Sequence, residues 1–264
     1  MERSIDRELE RRAASLFARI PEHASNASNI ARIAQTLLGI AAMPDLRAIL
    51  PDAGRQVSEI DDAIAASDPE RLEAATLRLY ARIHELGEAY SADERSRLRG
   101  SVGYICYAGG LSPVLRAGPF IRSGTTSIDL GAGNGLQGLL LQLLYPHRRT
   151  IQVELSGSLI DVGRRLQALM NIDPERVEWR RQDIAEAAVH EADFVYLYRP
   201  ARPVDAGRKV YEAIAGQLNT HVPGVVVFSV ADCLGPFLSE EFRVFFTDGH
   251  LTCFRKAARP TGSG

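Results

Sequence analysis

Lysine is nearly missing from this chain: two, Lys209 and Lys256, stand among 31 basic residues in 264. The 33 acidic residues leave a formal net charge of −2, so overall charge offers no basic surface for nucleic acid. The arginines are spread along the whole length and read as a compositional bias. Cysteine is scarce too. Cys106, Cys233 and Cys253 are far apart, with no C-x-x-C pair and no adjacent histidine pair, which argues against a disulfide framework and against a zinc site. No apolar run approaches the roughly 18 residues of a membrane span, and the opening MERSIDRELERR is too charged for a secretory signal. The expectations are a cytoplasmic protein with no membrane and no nucleic-acid partner. There is one tryptophan, and no internal repeat is found.

What is present is a chain 45% hydrophobic and 24% charged, enough to bury a full core in one large domain or two small ones. Its most informative stretch is SIDLGAGNGLQG, Ser127 to Gly138. Thr126, Ile128 and Leu130 give a strand one face, and Gly131, Gly133 and Gly135 leave no side chain between the backbone and a ligand lying across the turn. LQGLLLQLLY then reads as a helix whose N-terminal amides point at that ligand. Two cofactors compete for these letters. Gly133, Gly135 and Gly138 satisfy the dinucleotide G-x-G-x-x-G spacing, with Glu154 about 20 residues on. Asp129, two positions before the first glycine, favours a cationic ligand such as S-adenosyl-L-methionine over a pyrophosphate.

The run Asp129, Leu130, Gly131, Ala132, Gly133, Asn134, Gly135 resembles motif I of class I S-adenosylmethionine-dependent methyltransferases. Later segments resemble further parts of that family in order. TIQVEL, Thr150 to Leu155, is a second strand whose Glu154 stands where the family holds the ribose hydroxyls. Asp183 resembles the acidic residue set against the adenine amino group, with Ile184 packing on the ring. Phe194 to Tyr198 is a fourth strand cut off by Pro200, and EFRVFFTDGHLTCFRK forms a hairpin through Thr247, Asp248 and Gly249. The alternation predicts an α/β fold: a doubly wound, mainly parallel seven-stranded sheet with an antiparallel terminal hairpin. The resemblance covers about half the chain, and it implies cofactor contacts at Asp129, Gly131, Ala132, Gly133, Asn134, Gly135, Glu154, Leu155, Asp183, Ile184, Tyr198 and Tyr107.

Residues 1–100 lack β-rich runs and show amphipathic segments at 5–20, 27–42, 57–66 and 69–90. Asp68 and Pro69 form an N-cap and first-turn pair, and Leu72, Ala75, Leu77, Leu79, Ile83 and Leu86 are candidate core. This helical region is either a scaffold or homodimer surface, or a cap over the sheet. Residues 101–124 form a junction rich in glycine and aromatics, in which Tyr104, Tyr107 and Ser112 can cover the methionine end of the cofactor or simply pack. Residues 125–258 are the expected methyltransferase domain, and 259–264 a flexible tail.

Methyl transfer asks chiefly for alignment and exclusion of water, because the sulfonium is already activated. After the fourth strand stand Tyr198 and Arg199. Tyr198 is the candidate hydrogen-bonding or basic group and Arg199 the anchor for an anionic acceptor, although Tyr196 and Tyr198 alternate as strand residues do. This segment departs from the Asn/Asp-Pro-Pro-Tyr motif of amino-directed DNA methyltransferases. Asp232 either orients substrate or caps the turn near Leu234. The histidines are scattered and no paired acids mark a metal, so a metal-free enzyme is expected. The leading reading is methylation of a small-molecule acceptor. A lysine-type protein methyltransferase, a non-catalytic binding protein and a dinucleotide oxidoreductase stand behind it.

Overall fold

The computed structural model describes residues 24–44, 53–87, 90–98 and 109–258. The chain divides into two compact units, Met1–Leu86 and Gly87–Gly264. In the first, α1 (Ala24–Ala41), α2 (Ala53–Ala65) and α3 (Pro69–His84) pack through apolar stripes. Asp68 caps α3 by accepting the Arg71 amide at 3.0 Å, with Pro69 in the first turn. Ile33, Leu37, Ile60, Leu72, Leu79, Tyr80 and Ile83 are sealed from water, and each aliphatic side chain so buried contributes about 1.5–3 kcal/mol. Leu77 corrects the expected core: it is 40% exposed, because it lies two residues from both Ala75 and Leu79 and falls outside their stripe. The helix also stops at His84 rather than Tyr90, as Gly87 turns the chain at φ +115°. The predicted helix over 5–20 lies outside the described residues.

The second unit begins with two short helices, α4 (Ala92–Arg97) and α5 (Ser112–Ala117). The strands follow: β1 (Thr126–Leu130), β2 (Arg149–Glu154), β3 (Val177–Arg181), β4 (Phe194–Tyr198), β5 (Val226–Val230), β6 (Phe242–Thr247) and β7 (Leu251–Lys256). Helices α6 (Leu136–Leu144), α7 (Gly157–Leu169) and α8 (Asp205–Thr220) connect them. The sheet order is β3-β2-β1-β4-β5-β7-β6. The first five strands are parallel, and β7 lies antiparallel between β5 and β6. The expected doubly wound, seven-stranded sheet with its closing hairpin is thus present. The order reverses between β1 and β4, which makes the carboxyl end of β1 the topological switch point where such sheets bind ligands.

One face of the sheet is apolar over its central strands. Ile128, Leu130, Ile151, Val153, Val195, Leu197 and Val227 meet Val210, Tyr211, Ile214 and Leu218 of α8. The opposite face carries polar rows. Near the strand starts, Ser127, Thr150 and His147 bond to one another, and nearer the ends Asp129, Gln152 and Trp179 align in register across β1, β2 and β3. At the far edge the buried Lys256 ammonium donates to the carbonyls of Leu218, Asn219 and His221 at 3.2, 2.6 and 2.7 Å, tying the last strand to the end of α8. Glu241 lies 3.4 Å away as its counter-charge. A cation is suited to the free carbonyls of a helix C-terminus. No described helix is long and apolar enough to cross a membrane.

Candidate active site

Three glycines shape the loop between β1 and α6. Gly131, Gly133 and Gly135 have φ of +81°, +61° and +70°, a region that costs other residues about 1–2 kcal/mol each. The Gly131 and Ala132 amides donate to the Val153 carbonyl at 3.0 and 2.9 Å, and the Gly135 amide to Ala132 at 2.8 Å. Asn134 is buried, and its side-chain oxygen accepts the Leu136 amide at 3.3 Å, so it caps the start of α6. Beneath the loop, Gln152 Nε2 donates to the Gly135 carbonyl at 3.1 Å. A methyl group at Gly135 or Gly163 would run into the Trp179 ring, and one at Gly138 into the Gln152 amide. Gly138, the last glycine of the dinucleotide-like spacing, therefore serves close packing of helix on sheet. Asp129 reaches the first turn of α6, accepting the Gly138 amide.

Glu154, at the end of β2, is 1% exposed. Its Oε1 accepts the amides of Leu155 and Ser156 at 2.7 and 2.8 Å, and its Oε2 accepts the Gly133 amide at 2.8 Å. A fourth donor is the Tyr90 hydroxyl. Burial nevertheless pushes the Glu154 carboxyl above the usual range, with all four hydrogen bonds acting in opposition. Asp129 is pushed up to about 8, first by burial and then by the charge of Glu154, against the pull of the Gly138 amide. Two carboxyls thus share the switch point. A cation placed beside them would draw both back toward ionisation.

The remaining predicted positions lie around this centre. Leu155 is buried, and its carbonyl accepts Arg181 Nε at 3.4 Å. Asp183 accepts the Ala185 amide at 2.9 Å and caps the turn Ile184–Glu186. Half-buried Ile184 packs on the apolar cluster beneath the sheet. Tyr198, Arg199 and Pro200 are half-buried at the end of β4, with Pro200 lying beside Gly131. Tyr196 is 4% exposed with its hydroxyl against Gly109, so this tyrosine of the alternating pair belongs to the core. Tyr104 and Tyr107 fall outside the described residues. Ser112 accepts Arg116 Nε at 3.3 Å, and the Arg116 guanidinium lies 3.8 Å from the centre of the Phe246 ring. Asp232 caps: its Oδ1 accepts the Ser229 hydroxyl at 2.6 Å and the Leu234 and Gly235 amides at 2.9 and 3.2 Å.

Two features of this edge were not visible in the sequence. Arg199 and Ala231, ending β4 and β5, hold left-handed backbone at φ +28° and +48°. Such strain costs on the order of 1–3 kcal/mol and gathers at ligand-binding edges. His250 meets the Tyr198 ring edge-on at 6.0 Å, because antiparallel β7 starts beside the end of β5. A third feature had a readable signal. Ser91 and Glu94 have the S-x-x-E spacing of a capping box, which α4 forms. Among the described residues no group of three histidine, cysteine or acidic side chains is placed to hold a metal.

No family model matches the chain, and no curated protein matches it. Solved structures resemble it at low identity. A putative rRNA-methylase from Clostridium thermocellum is 14% identical with a TM-score of 0.45, over 56% of this chain and 96% of that one. TrmN from Thermus thermophilus is 15% identical at 0.43, over 55% and 47%. Geranyl diphosphate C-methyltransferase from Streptomyces coelicolor A3(2), in complex with S-adenosyl-L-homocysteine, is 15% identical at 0.37, over 45% and 43%. The chain thus spans less than half the length of the last two. By its own strand order and switch-point loop, the molecule is a Rossmann-like α/β protein, the fold on which class I S-adenosylmethionine-dependent methyltransferases are built.

Proposed function

We propose that the protein is an S-adenosyl-L-methionine-dependent methyltransferase acting on a small-molecule acceptor. One observation carries the reading: two buried carboxyls, Asp129 and Glu154, flank three left-handed glycines at the switch point. A dinucleotide brings a pyrophosphate to this loop, and two acids there oppose it. The methionine donor brings an ammonium, a sulfonium and a ribose diol, which suit carboxyls. The residues that would hold it are the backbone of Gly131 to Gly135, with Asp129, Glu154, Leu155, Asp183, Ile184 and Tyr198 around it. When bound, it supplies a methyl group already activated toward a nucleophile.

The protein's own part is to orient the acceptor and exclude water, a matter of positioning. Tyr198, half-buried beside His250, is suited to hydrogen-bond an acceptor, and Arg199 to anchor an anionic one. Where the acceptor must lose a proton, a group within hydrogen-bond reach takes it. The aromatic pair and the net charge of −2 favour a small acceptor over a nucleic acid. Calorimetric titration with S-adenosyl-L-methionine and S-adenosyl-L-homocysteine, with NADH as control, tests the cofactor. Micromolar binding of the first two alone is expected, and binding of NADH instead would overturn the reading. Labelled methyl donor offered with metabolite, protein and RNA pools then tests the acceptor class.

A further inference from the structure

A carboxylate offers about four acceptor positions, and Glu154 has four donors. Three are main-chain amides of Gly133, Leu155 and Ser156, set in place by β1, β2 and the turns that follow them. The fourth, the Tyr90 hydroxyl, comes from outside the sheet. A ribose hydroxyl can therefore bond Glu154 only by taking a place already filled, and Tyr90 holds the one place that a side chain can vacate without dismantling the loop.

Tyr90 sits at the head of a short strap, residues 90–98, whose anchor is Glu94. The Glu94 Oε2 accepts the Ser91 amide at 2.9 Å while the Ser91 hydroxyl accepts the Glu94 amide at 3.2 Å, closing α4 at its start. The Glu94 Oε1 accepts the Gly157 amide, in the first turn of α7, at 3.0 Å and pairs with Arg181 Nη2 at 3.2 Å. Burial works against this charge, but the Ser91 and Gly157 amides, the Ser91 hydroxyl and Arg181 together hold the carboxyl below its usual range. One buried acid thus fastens the strap to the ends of β2 and β3, and the strap carries Tyr90 onto Glu154.

We propose that Tyr90 is an intramolecular competitor of the cofactor for Glu154, delivered by a strap that Glu94 clamps over the end of β2. The proposal rests on the assignment of Glu154 to the cofactor ribose. Cofactor entry exchanges one hydroxyl for another at the same carboxylate and lifts the strap. Affinity is then reduced by the fraction of molecules in which Tyr90 holds its place, and entry is slowed by the lifting step.

The test uses the full chain, S-adenosyl-L-homocysteine as ligand, calorimetry for affinity and the fluorescence of Trp179 for the association rate. Trp179 is the sole tryptophan and lies against Gly135 of the loop. Tyr90→Phe should tighten binding about tenfold, mainly through faster association. Glu94→Gln should shift both quantities in the same direction by less, and it answers the question if Tyr90→Phe does not fold. Glu154→Gln should weaken binding, and Tyr90→Phe should then bring no further gain. A side chain needed only for packing would not speed association when trimmed. Unchanged or weaker binding in Tyr90→Phe, with Glu154→Gln still impaired, would overturn the competition and leave the site intact. Normal binding in Glu154→Gln would overturn the ribose assignment itself.

Discussion

The same two strands, β1 and β2, carry two buried polar clusters with different characters. Near their starts, His147 Nε2 stands 2.8 Å from the Ser127 hydroxyl and 2.9 Å from the Thr150 hydroxyl, and Nδ1 stands 2.6 Å from the Tyr145 carbonyl. Burial, opposed by that carbonyl, holds the imidazole below its usual pKa and hence neutral. The group is uncharged and satisfied. At the strand ends Asp129 and Glu154 are two acids, each raised by burial, with the charge of Glu154 adding to the rise at Asp129. Satisfied neutral polarity is a means of packing, whereas two acids brought close in a dry place resist ionising together and mark a ligand site.

This contrast can be broken most forcefully at the loop. Gly135→Ala must adopt φ near +70° and displace the Trp179 ring, so a loss of about 3 kcal/mol in urea unfolding is expected, together with loss of cofactor binding. His147→Ala should cost about 2 kcal/mol by stranding its hydroxyl partners, yet leave S-adenosyl-L-homocysteine affinity unchanged; a changed affinity would erase the distinction between the clusters. Glu154→Gln should weaken that affinity about tenfold or more, and should also cost about 1–3 kcal/mol, because its NH2 cannot accept the main-chain amides that the carboxylate holds.

The acid pair also makes stability depend on pH. Asp129 rises from 3.8 to about 8 on folding, so the folded protein binds a proton that the unfolded chain releases. Its contribution is complete below about pH 4 and is lost as pH climbs to about 8, with a slope of up to about 1.4 kcal/mol per pH unit. Glu154 acts in the same direction. Asp129→Asn should flatten this decline in unfolding experiments between pH 5 and 8, and an unaltered slope would show that Asp129 is ionised throughout. The smallest effect belongs to the helical unit. Leu77→Ala should cost no more than about 0.5 kcal/mol, against about 3 kcal/mol for the sealed Leu79.

Much of the α/β architecture was legible because its signals are local. A strand with three alternating glycines and a leucine-rich helix can be read letter by letter, and Phe194–Tyr198 and the closing hairpin end at proline and Asp-Gly breaks. Residues whose role depends on partners distant in sequence were not legible. Gln152, polar in the middle of an apolar strand, has meaning only once Gly135 and Gly138 lie above it. His250 reaches Tyr198 through the reversal of β7, and Tyr90 reaches Glu154 across 64 positions. The exposure of Leu77 follows from its phase within α3, which lies outside the stripe of Leu72, Ala75, Leu79 and Ile83.

The shortage of lysine has a practical side. Lys256 is sunk among three carbonyls, whereas Lys209 lies exposed on α8. Apart from the chain's own α-amine, amine-reactive dyes and crosslinkers will therefore find one lysine side chain on the folded protein, so lysine modification reports on a single position of α8.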